Sequence, residues 1–105
     1  MTASLVYVTT TNSDEAARIG KVLVTERLAA SVNILGEVRS IYRWENEVQD
    51  KKETLLIAKT NALRVGELID RIRSLHSYQC PCIVAWRLDG GNDPYLDWIG
   101  QETTR

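Results

Sequence analysis

Ser31-Val32-Asn33-Ile34-Leu35-Gly36-Glu37-Val38-Arg39-Ser40-Ile41-Tyr42-Arg43-Trp44-Glu45-Asn46 is the stretch on which the architecture turns. Val32, Ile34, Val38, Ser40, Tyr42 and Trp44 share one parity, which predicts a long strand over Ser31–Trp44, with Gly36 as its bend or bulge. Glu45-Asn46 is the expected hairpin turn, because Asn accepts a left-handed backbone at low cost. The return strand is expected from about Val48 to Thr60, and its Leu55-Leu56-Ile57-Ala58 segment is apolar on both parities.

On either side of this hairpin the pattern changes period. Upstream, Leu5-Val6-Tyr7-Val8-Thr9-Thr10 is β-branched and aromatic and reads as a strand. Asn12 or Ser13 can cap the helix that follows, and Asp14 and Glu15 suit its positive end. That helix is expected to run to about Leu28, with Ala16, Ile19, Gly20 and Leu23 inward and Val22 alongside. Downstream, Val65, Leu68, Ile69, Ile72 and Leu75 define a second helix from about Asn61 to Leu75. Ile83-Val84-Ala85-Trp86-Arg87-Leu88 reads as the fourth strand, and Pro94 opens a short helix carrying Tyr95, Leu96, Trp98 and Ile99.

The order is β-α-β-β-α-β plus a short C-terminal helix, the α+β, ferredoxin-like split βαβ pattern, expected as one domain over residues 1–105. Two helices cover only one face of such a sheet, so a monomer should be polar on the other. Yet Leu55-Leu56-Ile57 and Ile83-Val84-Ala85-Trp86 offer apolar side chains to both faces, each worth about 1.5–3 kcal/mol when covered. The long hairpin also overhangs a four-stranded sheet and leaves an open edge. Self-association is the expected remedy; the competing reading is that the terminal helix and a curled hairpin cover the second face alone.

Bulk properties narrow the function. The chain has 105 residues, 44% of them apolar, and thirteen basic against fourteen acidic residues leave a net charge of −1. No long-range field draws a polyanion or an anionic membrane, so nucleic acid and membrane partners are not expected. The N-terminus has no basic stretch leading into a long apolar run, and the expected location is cytoplasmic. Cys80 and Cys82, separated by Pro81, are the only cysteines, and neighbours this close do not easily reach disulfide geometry.

No phosphate loop, dinucleotide fingerprint, nucleophile elbow or paired-histidine zinc motif occurs. His76-Ser77-Tyr78-Gln79-Cys80-Pro81-Cys82 is the segment of chemical interest, since imidazole and thiolate suit borderline and soft transition metals. In the alternative reading, His76 simply ends the second helix against its negative dipole, while Cys80 and Cys82 are small buried hydrophobes entering a strand. Glu53 and Lys59 share parity with Leu55 and Ile57, so they either point into an interior or cleft, where a charge needs a partner, or sit near strand ends and reach water. Trp44, Trp86 and Trp98 read as packing anchors, although a Trp beside a hairpin turn also suits a partner's pocket. Lys51-Lys52 reads as an exposed flank.

Leu28-Ala29-Ala30-Ser31-Val32-Asn33, Ser40-Ile41-Tyr42-Arg43-Trp44, Glu53 through Lys59-Thr60, His76-Ser77-Tyr78-Gln79-Cys80-Pro81 and Tyr95-Leu96-Asp97-Trp98-Ile99 together resemble the CutA family of divalent-cation tolerance proteins over nearly the whole chain. The resemblance implies a ferredoxin-like protomer in a homotrimer, with long strands pairing across subunits. It also implies metal tolerance and binding of divalent, copper-like ions. By match to the family, His76 is a metal-side residue, and Tyr42, Trp44, Glu53, Lys59 and Tyr78 line intersubunit clefts. Ser31 stands where many members have cysteine, Asn46 where a turn glycine is usual, Ser77 where proline is usual, and Gln79 where many carry glutamate. Thr10 stands where some members have cysteine. With those ligands gone, Cys80 and Cys82 are the available substitutes.

The expected function is thus a non-enzymatic homotrimer that binds or senses divalent metal weakly, copper above all, through His76 with Cys80 and Cys82. The alternative is a trimeric signalling or adaptor protein that holds a small anionic metabolite in its intersubunit clefts against Lys59. Hydrolase or transferase activity ranks third, with Glu53 and Tyr78 as its only candidates.

Overall fold

A computed structural model describes residues 1–104. Its elements are β1 (Ala3–Thr10), α1 (Ser13–Thr25), β2 (Ser31–Trp44), β3 (Glu47–Asn61), α2 (Val65–Leu75), β4 (Ile83–Arg87) and α3 (Asp93–Glu102), with a 3-10 turn over Ala62–Arg64 leading into α2. The four strands form one antiparallel sheet in the order β2-β3-β1-β4. The split βαβ order read from the sequence is therefore the order found.

The core lies between the sheet and the first two helices. Val6, Val8, Leu56 and Ala58 project from β1 and β3 against Ala16, Ile19 and Leu23 of α1 and Leu68 and Ile72 of α2. Gly20 lets α1 approach β2 closely, since a Cβ there would stand 3.1 Å from a methyl of Val32. The hairpin matches its pattern: Glu45 and Asn46 both have positive φ, and the register slips between Leu35 and Glu37, beside Gly36. Pairing of β1 with β3 stops at Thr10 opposite Thr54, so residues beyond it in β2 and β3 overhang the rest of the sheet.

Helix ends depart modestly from the sequence reading. The first helix stops at Thr25 rather than near Leu28, because Arg27 turns left-handed at φ 60°. The N–H groups of Leu28 and Arg27 then bond to the carbonyls of Leu23 and Val24, the double closure usually built around glycine. Since a left-handed residue with a Cβ carries a penalty of about 1–2 kcal/mol, partly offset by the chain entropy of glycine, Arg27→Gly is expected to stabilise the protein by roughly 0.5–1 kcal/mol. Urea unfolding checks this. The second helix opens through its 3-10 turn, where the Asn61 side chain caps the N–H of Leu63.

The sheet's second face is only partly covered. α3 packs Ile99 and Leu96 against Ala3, Ala30 and Leu88 at one end. Farther along, Val84 is 54% and Trp86 45% exposed, and Leu35, Tyr42 and Trp44 are also open. Complete internal coverage by the terminal helix and a curled hairpin is thereby excluded within one chain. Within the chain the three tryptophans are likewise not packing anchors: Trp44, Trp86 and Trp98 all remain exposed.

Candidate functional site

Beside the overhanging hairpin the open face curves into a concavity of about 850 Å³. Tyr42 and Trp44 come from β2, Glu53 from β3, and Tyr78, Cys80 and Cys82 from the segment leading into β4. Four of the five residues assigned by resemblance to clefts thus line one hollow. Two strands and a loop meet there because β3 runs past the end of β1 and the loop after α2 crosses the gap.

Glu53 is the buried charge of this hollow, only 6% exposed. Its Oε2 accepts a 2.8 Å hydrogen bond from the Tyr78 hydroxyl. Burial, then the hydrogen bond and negative charge of Glu53, push the Tyr78 phenol up to about 12. At the other end of the fold, Tyr95 is held below the usual phenol value by its Ser31 hydrogen bond, aided against desolvation by Lys59. An alkaline titration followed by tyrosinate absorbance should therefore show Tyr95 ionising early and Tyr78 last. Tyr78→Phe should delete only the last step, and its persistence would refute the contact.

Behind Tyr78 stands His76, whose side chain is completely enclosed. Its Nδ1 accepts the Tyr78 backbone N–H at 3.0 Å, so its proton sits on Nε2, which donates to the Thr9 carbonyl at 2.8 Å. The rings of His76 and Tyr78 also pack with centroids 4.7 Å apart. Both nitrogens are hydrogen-bonded to backbone within this chain, and the contact with its N–H positions Tyr78. His76 does end the second helix, as the alternative reading had it, serving as the cap residue of α2.

Cys80 and Cys82 are free and exposed, which overturns their reading as buried hydrophobes. Cys82 extends the β4 ladder, with its carbonyl accepting from Thr9 N–H at 3.4 Å. Among the described residues, no three His, Cys, Asp or Glu side chains come together as a metal-holding group. The donor set read from the sequence is therefore split into an occupied imidazole and an open pair of thiols.

Lys59 does not reach the concavity. Its Nζ donates to the Tyr95 hydroxyl at 3.2 Å and lies 5.5 Å from that ring's centre, at the end covered by α3. The cation that does line the hollow is Lys51, read from the sequence as a mere flank; Arg39 lines it too but is tied to Asp50 through two hydrogen bonds of 2.8 and 2.6 Å.

From the sequence Glu15 reads only as a helix-start residue, suited to the positive end of α1. It is buried, and its carboxylate accepts the N–H groups of Thr11 and Ser77, both at 2.9 Å, fastening the start of α1 to the turn after α2. A buried acid three residues after a capping Asn was the only signal available.

The family model described as CutA1 divalent ion tolerance protein matches residues 4–102. A divalent-cation tolerance protein CutA of Thermus thermophilus is 46% identical over 93% of this chain and 96% of its own length. The human Protein CutA is 37% identical over 95% of this chain, which spans only 56% of the human protein. Among solved structures, CutA1 of Oryza sativa superposes with a TM-score of 0.95 at 36% identity, covering 99% of this chain and 95% of the other. The periplasmic divalent cation tolerance protein CutA of Archaeoglobus fulgidus gives 0.94 at 34%, covering 97% and 99%. With a matching order of elements, a shared fold and identities of this size across almost every residue, the chain belongs to the CutA1 divalent ion tolerance family.

Proposed function

We propose that this chain acts as a non-enzymatic, cytoplasmic homotrimer of the divalent-cation tolerance type, which binds or senses copper-like divalent ions weakly at the concavity beside its open sheet face. The observation that carries the reading is the adjacency of two features: an apolar face that one chain leaves wet, and a hollow that exposes both thiols at its margin. A second and third copy laid against Val84, Trp86 and Leu35 would remove hydrocarbon from water and turn the hollow into an intersubunit cleft. Catalysis has no evident machinery, since the one buried carboxylate of the hollow is bonded to a phenol that holds its own proton tightly.

Two measurements test this reading. Sedimentation should report three copies of the 11.9 kDa chain at micromolar concentration. Titration calorimetry of the reduced protein with Cu(II) should give heat above buffer; a monomer that is silent to copper would end the proposal. The metabolite reading keeps one favourable observation, Lys51 at the wall of the hollow in place of Lys59. It predicts that a small dianion raises the melting temperature of the protein and fails to do so for Lys51→Ala.

A further inference from the structure

We propose that Cys80 and Cys82 form a two-thiolate site selective for a soft monovalent d10 cation, Cu(I) in chemical class, and that His76 takes no part in it. This deepens the metal reading above and rests on it for the idea that the chain meets metal at all, but it changes the ion and the ligand set.

The donor count leads to this choice. Zn(II) in structural sites takes four ligands, and Cu(II) prefers tetragonal sets of nitrogen and oxygen. The hollow offers no complete set of either kind, which leaves a divalent ion only weakly held: no third His, Cys, Asp or Glu joins a metal-holding group among the described residues, and the lone histidine has both nitrogens bonded to backbone. What remains is a pair of free, exposed thiols on one wall, the donor type that selects Cu(I). A soft d10 ion is satisfied by few sulfur ligands, so two suffice where a divalent ion would be left short.

The backbone favours the pair over a disulfide. Pro81 fixes φ between the two cysteines, and Cys82 is held in line with β4 by its bond from Thr9. Cysteines two residues apart reach disulfide geometry poorly, so the thiols stay available as ligands. On binding, each thiol releases one proton and two sulfur–metal bonds form. The ion arrives and remains as Cu(I), so no electron is transferred. The resulting bis-thiolate carries one net negative charge, and Lys51, which lines the same hollow from β3, is of the sign to offset it.

The test titrates Cu(I), held in a coloured chelator under anaerobic and reducing conditions, with wild type, Cys80→Ser, Cys82→Ser and His76→Gln. Wild type should withdraw one ion per chain with the ultraviolet charge-transfer band of a copper thiolate. Either serine variant should lose this withdrawal while melting like wild type, because both side chains are exposed. His76→Gln should keep it even if its melting temperature falls. Loss of Cu(I) in His76→Gln at a temperature where that variant is folded would overturn the proposal. Retention in both serine variants would do the same. A parallel Cu(II) titration separates the two readings: divalent binding that survives both serine substitutions leaves the tolerance function standing whatever the Cu(I) titration shows.

Discussion

Val84→Glu is expected to break the proposed trimer into single 11.9 kDa chains while leaving the protomer folded. Val84 lies on β4 opposite Tyr7, on the face away from α1 and α2, and more than half of it is exposed in one chain. A polar substitution at so open a position costs the protomer itself less than about 0.5 kcal/mol. In the proposed trimer the same side chain sits where copies meet, and burying an unpaired carboxylate there costs several kcal/mol, repeated in every copy by symmetry. Sedimentation velocity and circular dichroism read the two halves of the expectation. Lys21→Glu, exposed on the outer side of α1, should change neither. An unchanged sedimentation coefficient for Val84→Glu would show that this face is not the contact.

Glu15→Ala should be the most damaging single substitution among polar residues, lowering stability by about 3 kcal/mol. It removes the buried acceptor of two part-buried N–H donors, those of Thr11 and Ser77, each worth up to about 1–3 kcal/mol when left without a partner. The effect extends beyond α1, because Ser77 begins the segment that places Tyr78 and the two thiols. Glu15→Gln should cost less, since the amide keeps one acceptor oxygen. Protonation should mimic the loss. Burial raises the Glu15 carboxyl, but the Thr11 N–H and the hydroxyl and N–H of Ser77 outweigh it, so the group titrates below the ordinary glutamate value. A carboxyl depressed in the folded state contributes stability that is complete above its unfolded pKa and vanishes as pH falls through the folded one. Urea unfolding from neutral pH to about pH 3 should therefore show the gap between wild type and Glu15→Gln narrowing in acid. A gap independent of pH would mean that the charge contributes nothing.

Much of the architecture was legible because periodicity reports local geometry directly. The alternation from Val32 to Trp44 and the helical spacing from Val65 to Leu75 each constrain only residues near in sequence, and both elements appear where expected. The end of α1 was not legible: arginine has no preference for the left-handed state it adopts at position 27, and the turn is imposed by Leu28 entering the core. Partial coverage by α3 and an apolar remainder around Val84 and Trp86 followed from the sheet's composition, since no two-helix layer can cover both faces.

The candidate site divides differently. That Tyr42, Trp44, Glu53 and Tyr78 belong together was carried by family resemblance, and within the single chain the four line one hollow. Lys59 shares strand parity with Glu53, but parity states only which face a side chain leaves from. Six residues along an extended strand separate the two by about 20 Å, and Tyr95 of α3 captures the lysine at its own end.

By itself the sequence determined the order of strands and helices, the long hairpin and the excess of hydrocarbon on the sheet, because each is written in the spacing and polarity of neighbouring residues. Only the tertiary structure decided that His76 is spent on the backbone of Thr9 and Tyr78, that Glu15 clamps two distant turns, and that the thiols stand open. Whether a donor is free depends on which groups the fold brings within hydrogen-bonding reach, and that is a property of the packed chain rather than of any segment of it.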